Sequence, residues 1–333
     1  MRYGGQWAVR PCIGIALLLW LALFYGAAPN TGSNAKQKVR LGYFPNLTHA
    51  PALIGVSSGD FQKELGPNVG LTPIAFNAGP EAMEALLASA IDISYVGPGP
   101  AINTYLKSHG KALRVIGGAC SGGAALVAGK NTNINSLHDL DGKRVAVPQL
   151  GGTQDISLRY FLSQQGLQTR DKGGSVEVLP IKSPDTLALM KRGEIDAAWM
   201  PEPWVTRLIH ESDAKLVLDE RDLWPAHAFP TTVIVARTEF LKAHPDQVAA
   251  ILRAHREAVK FLNADAQTAQ TAVNVELKKL SGKPLKDADM KEAWGRVTFV
   301  TAPDSAGMET FASMAVKTGY LPEGSNVAGL IQK

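Results

Sequence analysis

Apolar positions along the chain recur with two periods, and the switching between them lays out a plan. Runs such as "RLGY" (40–43), "KRVAV" (143–147) and "TTVIVA" (231–236) are short and apolar, the mark of strands. After the first of these, Met83, Leu86, Leu87 and Ala90 fall at i, i+3, i+4 and i+7, one buried stripe on a helix over 80–90. Leu158, Phe161 and Leu162 repeat that spacing after "KRVAV", and Val248, Ile251, Leu252, Val259 and Leu262 make a longer stripe over 246–262. Pro80 and Pro184, each followed by an acid, suit a helix's first turn, where the N–H that proline lacks would have no partner. Strands alternating with such helices predict an α/β protein built on parallel sheet.

The plan repeats at an offset of 104 residues. "RLGY" falls on "RVAV" (144–147), Pro80 on Pro184, Glu81 on Asp185, Met83 on Leu187, Leu86 on Met190, and Ile91-Asp92 on Ile195-Asp196. One offset serving both ends of such a window predicts two pseudo-symmetric lobes. The runs "AALVAG" (124–129) and "TTVIVA" (231–236) flank the second window and are expected to pass between them. Lobe one is then 38–126 plus 236–333, and lobe two is 127–235. Parallel sheets bind ligands beyond the carboxyl ends of their strands. The loops to watch are therefore "FPNLTH" (44–49), "NAGP" (77–80), "GPGP" (97–100), "CSGG" (120–123), "QLGGTQ" (149–154), "KSP" (182–184) and "PEPW" (201–204).

Composition narrows the class. A chain of 333 residues, 45% hydrophobic and 19% charged, is a globular protein large enough for two domains. A net charge of +4 with no block of Lys/Arg gives nucleic acid no electrostatic footprint. The first 28 residues stand apart. Arg2 and Arg10 precede an apolar run, 13–28, that ends with small residues at Gly26 and Ala28, the pattern of a secretory signal peptide. A membrane anchor is the competing reading, since the run is only just short of a span. Without residues 1–28 the chain carries 32 basic against 30 acidic side chains. Cys12 lies in the signal, so Cys120 is left without an intrachain partner, and no cysteine stands where a lipoprotein would need one. The expected compartment is the periplasm, with a membrane tether if the signal stays uncut.

Most reaction signatures are missing. There is no G-x-S-x-G elbow and no phosphate loop, and "GPGPAI" (97–102) has Ile102 where a dinucleotide fingerprint needs a third glycine. The seven histidines are scattered without metal-ligand spacing, and His244 and His255 fit surface positions on helical segments. Cys120 is a candidate nucleophile, although a lone thiol beside glycines at a strand end is more often packing. No metal, cofactor or catalytic cluster is expected, and the chain is not expected to be an enzyme. The informative feature is "QLGGTQ". Two glycines where a strand hands over to a helix either make a tight turn or leave amide N–H groups bare. A helix's first turn has donors without internal partners, and its dipole attracts an anion. Thr153 adds a hydroxyl there, and at the 104-residue offset it falls on His49. Asn46 and Thr48 supply an amide and a hydroxyl in the matching loop. Glu202 and Trp204 offer a carboxylate and an aromatic face at the cleft.

"VRLGYFPNLTHAPAL", "GGTQDISLRYFL", "LMKRGEIDAAWMPEPW" and "LDERDLWP" resemble the periplasmic substrate-binding proteins of ABC importers for aliphatic sulfonates, nitrate and taurine, over about 39–262. The resemblance implies a two-lobed periplasmic-binding-protein (type II) fold with two crossover strands and a ligand cleft. It implies ligand contacts at Asn46, Thr48, Gly97, Gly99, Gly151, Gly152, Thr153, Glu202 and Trp204. From the cleft loops themselves, His49, Ser121 and Gln154 join them. The family's "GNTQD" stands here as "GGTQD", so position 152 offers only backbone donors. The function so implied is capture of a small anion, an aliphatic sulfonate, by a monomeric protein that hands it to an ABC permease of the inner membrane. A pyrimidine-like vitamin precursor, stacked on Trp204 and paired with Glu202, is the alternative ligand. An enzyme of the same fold is the alternative of another class.

Overall fold

The computed structural model describes residues 37–332; the signal-peptide expectation for 1–28 lies outside them. The first half of the described chain runs β1 (Gln37–Tyr43), α1 (Ala50–Ser57), α2 (Asp60–Leu65), β2 (Val69–Ala75), α3 (Gly79–Leu87), β3 (Ile93–Val96), α4 (Pro98–Lys107) and β4 (Leu113–Gly122). The second runs β5 (Ala124–Ala128), β6 (Arg144–Val147), α5 (Thr153–Gln164), β7 (Glu177–Pro180), α6 (Ser183–Lys191), β8 (Ala197–Pro201), α7 (Trp204–Ser212) and β9 (Lys215–Asp219). The remainder is β10 (Pro230–Arg237), α8 (Thr238–Ala243), α9 (Pro245–Ala264), α10 (Ala266–Ser281), α11 (Asp287–Trp294), β11 (Val297–Phe299) and α12 (Ser305–Lys317). Helices α3 and α6 begin and end 104 residues apart, as the proline-led stripes predicted.

The strands form two sheets, ordered β11-β4-β10-β3-β1-β2 and β7-β6-β8-β5-β9. Shifted by the offset, β2-β1-β3 and β7-β6-β8 are the same parallel trio. The two runs expected to pass between lobes take the same slot in the two sheets. β10 lies antiparallel between β3 and β4, and β5 lies antiparallel between β8 and β9. Each stays within one sheet. The chain changes sheet at Gly123, between β4 and β5, and returns across 220–229, between β9 and β10.

The repeat extends to side chains. The Arg40 guanidinium donates to both oxygens of Asp92 at 2.8 and 2.6 Å, and the Arg40 N–H donates to the same carboxylate at 3.0 Å. Arg144 clasps Asp196 identically, with side-chain bonds of 3.0 and 2.9 Å and a backbone bond of 2.8 Å. Each clasp ties a lobe's first strand, at the middle of β1 and the first residue of β6, to the residue just before its third.

Strand alternation sorts the core. On β5, Ala124, Leu126 and Ala128 face one apolar cluster while Ala125 and Val127 face another; β6, β8 and β10 divide in the same way. One cluster is shared by both sheets: Val96, Ile102 and Val233 of the first join Val145, Leu158 and Trp199 of the second through Ile156, Phe229 and Phe311. The first sheet's other face packs on α1, α9 and α10. His255 of α9, expected at the surface, is buried in that layer because its Nδ1 meets the Tyr95 hydroxyl at 2.9 Å. Burial lowers its pKa to about 4, so it is a neutral core residue.

Candidate ligand-binding cleft

Between the sheets lies a cavity enclosing about 480 Å³ of empty space, mouth included. Its lining follows the carboxyl ends of the parallel strands in both lobes, as open α/β sheets require. Phe44, Asn46, Thr48 and His49 come after β1, Asn77 to Gly79 after β2, and Gly97 after β3. The second lobe answers with Pro148, Gln149 and Gly152 to Gln154 after β6, Ser183 after β7 and Pro201 in β8.

None of these lining residues is Asp, Glu, Lys or Arg. The only titratable one is His49, and burial drives its pKa down to about 3. The Tyr95 carbonyl offsets a little of this without accepting a well-formed hydrogen bond, and the ring stays neutral. What the cavity holds instead is the starts of helices. The first turns of α3, α4, α5 and α6 reach it through Gly79, Gly97, Thr153 and Ser183, and none has a side-chain cap. Each N-terminus carries partial positive charge and unpaired N–H groups.

Those four ends are not equivalent. α3, α4 and α6 have proline in their first turn, at Pro80, Pro98 and Pro184, which deletes an amide donor from each. α5 has none. Its first backbone bond within the helix is from Ile156 N–H to Gly152 O at 3.2 Å, which leaves the amides of Thr153, Gln154 and Asp155 ahead of it. The Thr153 hydroxyl beside them is buried and has no hydrogen-bond partner among the described residues. Among these four helix starts, α5 is the one that has no proline in its first turn.

The structure brings Asn46, Thr48, His49, Gly97, Gly152, Thr153 and Gln154 together on this cavity. The other sequence candidates stand elsewhere, each for a physical reason. Gly99 is pressed between α4 and the helices facing it: an added Cβ would meet Ile156 at 3.0 Å and Phe311 at 3.2 Å. The Ser121 hydroxyl accepts the Phe229 N–H at 3.2 Å within the first sheet's edge. Gly151 turns away with φ of 71°, and its N–H, expected bare, donates to Asp155 Oδ2 and the Tyr320 hydroxyl, both at 2.8 Å. Glu202 is fully buried against Arg296 Nη1 at 2.9 Å and the Thr206 hydroxyl at 3.0 Å. Burial raises its pKa, and the Arg296 charge opposes that rise. Trp204 acts one step back from the cavity. Its indole N–H donates to Asn46 Oδ1 at 3.2 Å, which turns the Asn46 amide so that Nδ2 remains free to donate. Thr231 lines the cavity as well, and its place in an apolar strand run gave no sign of that. Cys120 is buried, and burial pushes its thiol up to about 12, which leaves it unreactive at neutral pH.

A match to the model of the NMT1-like family covers residues 32–276. The chain belongs to the NMT1-like family. Among similar proteins, the taurine-binding periplasmic protein of Escherichia coli (strain K12) is 29% identical over 239 residues, 71% of this chain and 71% of that protein. The nitrate/nitrite binding protein NrtA of Synechococcus elongatus is 22% identical over 210 residues, 57% of this chain and 46% of its own. The solved structure of the alkanesulfonate-binding protein SsuA from Xanthomonas axonopodis pv. citri bound to MOPS has a TM-score of 0.74 at 21% identity, covering 89% of this chain and 98% of that one. The two-lobed α/β architecture is therefore the periplasmic binding protein fold. All three relatives are named as binding proteins, for taurine, nitrate/nitrite and alkanesulfonate. Among the described residues no helix is long and apolar enough to cross a membrane.

Proposed function

We propose that this member of the NMT1-like family is the exported solute-binding component of an ABC importer, and that it captures a small aliphatic sulfonate between its lobes for delivery to a membrane permease. One observation carries this reading: a buried, unpartnered Thr153 hydroxyl stands at the proline-free start of α5, inside a cavity lined by neutral groups. A sulfonate spreads one charge over three acceptor oxygens, which suits convergent amides and hydroxyls better than a single cation does. The lobes close as bodies hinged where the chain changes sheet, and ligand favours the closed state by the contacts it gains there. His49 as a base of pKa about 3 gives the cavity no group poised for proton transfer near neutral pH, in keeping with binding rather than catalysis.

The absence of a lining carboxylate favours a ligand without an ammonium group, because a buried cation with no counter-charge is costly. The heteroaromatic alternative has less behind it, since Glu202 and Trp204 are both engaged within the protein.

Calorimetric titration of the purified protein with ethanesulfonate, taurine, nitrate and bicarbonate tests the proposal. Ethanesulfonate is expected to bind more tightly than taurine. Thr153→Val should weaken it about tenfold, the worth of one hydrogen bond, with little change in stability. A wild-type protein blind to every sulfonate would sink the reading.

A further inference from the structure

The start of α5 is held in part by a residue far along the chain, Tyr320, beyond the end of the family match at 276. Asp155, fully buried in the helix's first turn, takes Arg159 Nε on one oxygen at 2.7 Å. Its other oxygen accepts the Gly151 N–H at 2.8 Å and the Tyr320 hydroxyl. The same hydroxyl accepts from Gly151 N–H at 2.8 Å, and the Arg159 guanidinium lies over the Tyr320 ring, 5.7 Å from its centre. Arg159 is fixed in turn by the Thr169 hydroxyl at 2.8 Å and by Asp171. Tyr320 therefore closes a ring of bonds around the turn that presents the Thr153 amide and hydroxyl to the cavity.

Tyr320 follows α12, which packs against α4 of the first lobe and α5 of the second and places Met308, Phe311, Ala312 and Ala315 in the apolar cluster shared by both sheets. Past it, the chain is tied to the first lobe: the Tyr105 hydroxyl donates to Ala328 O at 2.7 Å, and Val115 of β4 exchanges backbone bonds with Leu330 and Gln332 at 2.9 and 2.8 Å. The outer side of the Leu150–Gly151 turn faces α3 and α4 across an open groove rather than packing on them. The tyrosine is thus a direct polar tie between the first lobe's C-terminal segment and the second lobe's anion-facing turn. Burial, and then the Asp155 charge, push its phenol well above its ordinary range, so it stays a donor at neutral pH.

We infer that Tyr320 is a positioning residue for the proposed anion site: it latches the 151–155 turn to the first lobe in the closed arrangement, and ligand escape requires the latch to open. The inference rests on the binding function proposed above. Tyr320→Phe keeps the ring and its stacking under Arg159 while removing the hydroxyl, so it is the variant of choice. Two measurements are made on it and on the wild type. Hydrogen exchange of ligand-free protein reads the turn directly, and stopped-flow association and dissociation of ethanesulfonate read the site. Tyr320→Phe should exchange faster over 149–156 and release ligand about tenfold faster, with the association rate within about twofold and an unchanged melting temperature. Unchanged exchange together with an unchanged dissociation rate would overturn the latch. So would a loss of affinity that merely follows a fall in melting temperature. Faster exchange in a variant whose wild-type parent binds no sulfonate would uphold the latch and refute the sulfonate reading instead.

Discussion

The two lobes share a frame and differ in what they place at its open end. Arg40–Asp92 and Arg144–Asp196 make the same clasp at the same separation, on strands that stack in the same order. Even the next contact is repeated: Arg237 N–H of β10 donates to Asp92 O, and Gly129 N–H, just past β5, donates to Asp196 O, both at 2.9 Å. At the cleft the correspondence stops. The position that holds Thr153 in the second lobe holds a neutral His49 in the first, and the first lobe's helix there carries proline in its first turn whereas α5 does not. The frame fixes where loops converge. The unmatched residues are what set the two faces of the cavity apart.

The clasps themselves are unequal, and that inequality is the largest effect to test. Asp92 is 1% exposed and also accepts from Arg237 Nη2 at 3.3 Å, while Asp196 is 22% exposed and has one arginine. Removing the buried carboxylate's charge takes the ion-pair partner from the Arg40 guanidinium and leaves Arg237 with Glu239 alone. Asp92→Asn should cost about 3–5 kcal/mol, and Asp196→Asn about 1 kcal/mol or less, as measured by urea unfolding. Equal losses would show that the lobes rely on their clasps alike.

A second asymmetry concerns Glu220, which the offset sets opposite Ile116. Glu220 is fully buried, accepts the Trp199 indole N–H at 2.7 Å, and has its pKa raised to about 7, chiefly by burial. The unfolded chain ionises this group near pH 4.5 while the folded chain keeps its proton until about 7. Stability is therefore expected to fall as pH rises through that window and to level off above it. Glu220→Gln keeps an acceptor for Trp199 and should remove the pH dependence, stabilising the protein at pH 8 by about 2–3 kcal/mol. Thermal unfolding from pH 5 to 8 checks both the slope and its loss.

The smallest expected effect lies at one corner of the repeat. Ser89 and Gly193 occupy matching turns with φ of 56° and 68°, where only glycine is unstrained. Ser89→Gly should stabilise by a few tenths to about 1 kcal/mol. Gly193→Ser should lose a similar amount, because a Cβ there meets nothing within 4 Å and only backbone strain changes.

The frame was legible because it is written in local periods and a self-comparison. Pro80 and Pro184 announce α3 and α6, and "QLGGTQ" announces the start of α5. Partners distant in sequence are not written locally. Glu202 looks available between two prolines until Arg296, 94 residues on, is seen to hold it. Trp204 looks like a stacking face until Asn46 takes its indole N–H. Tyr320 sits in a region with only helix patterning to follow, and nothing nearby in sequence points to Asp155. His255 misled for the opposite reason: a polar residue on an apolar stripe was assigned to solvent, while Tyr95 of the first sheet was waiting for it.

Gly97 sets the tolerance of the whole arrangement. A methyl group there would stand 2.1 Å from the Thr153 hydroxyl oxygen, so a single added carbon works as a doorstop between the lobes. How near the two faces can stand at this point is decided by a hydrogen atom where every other amino acid carries a carbon.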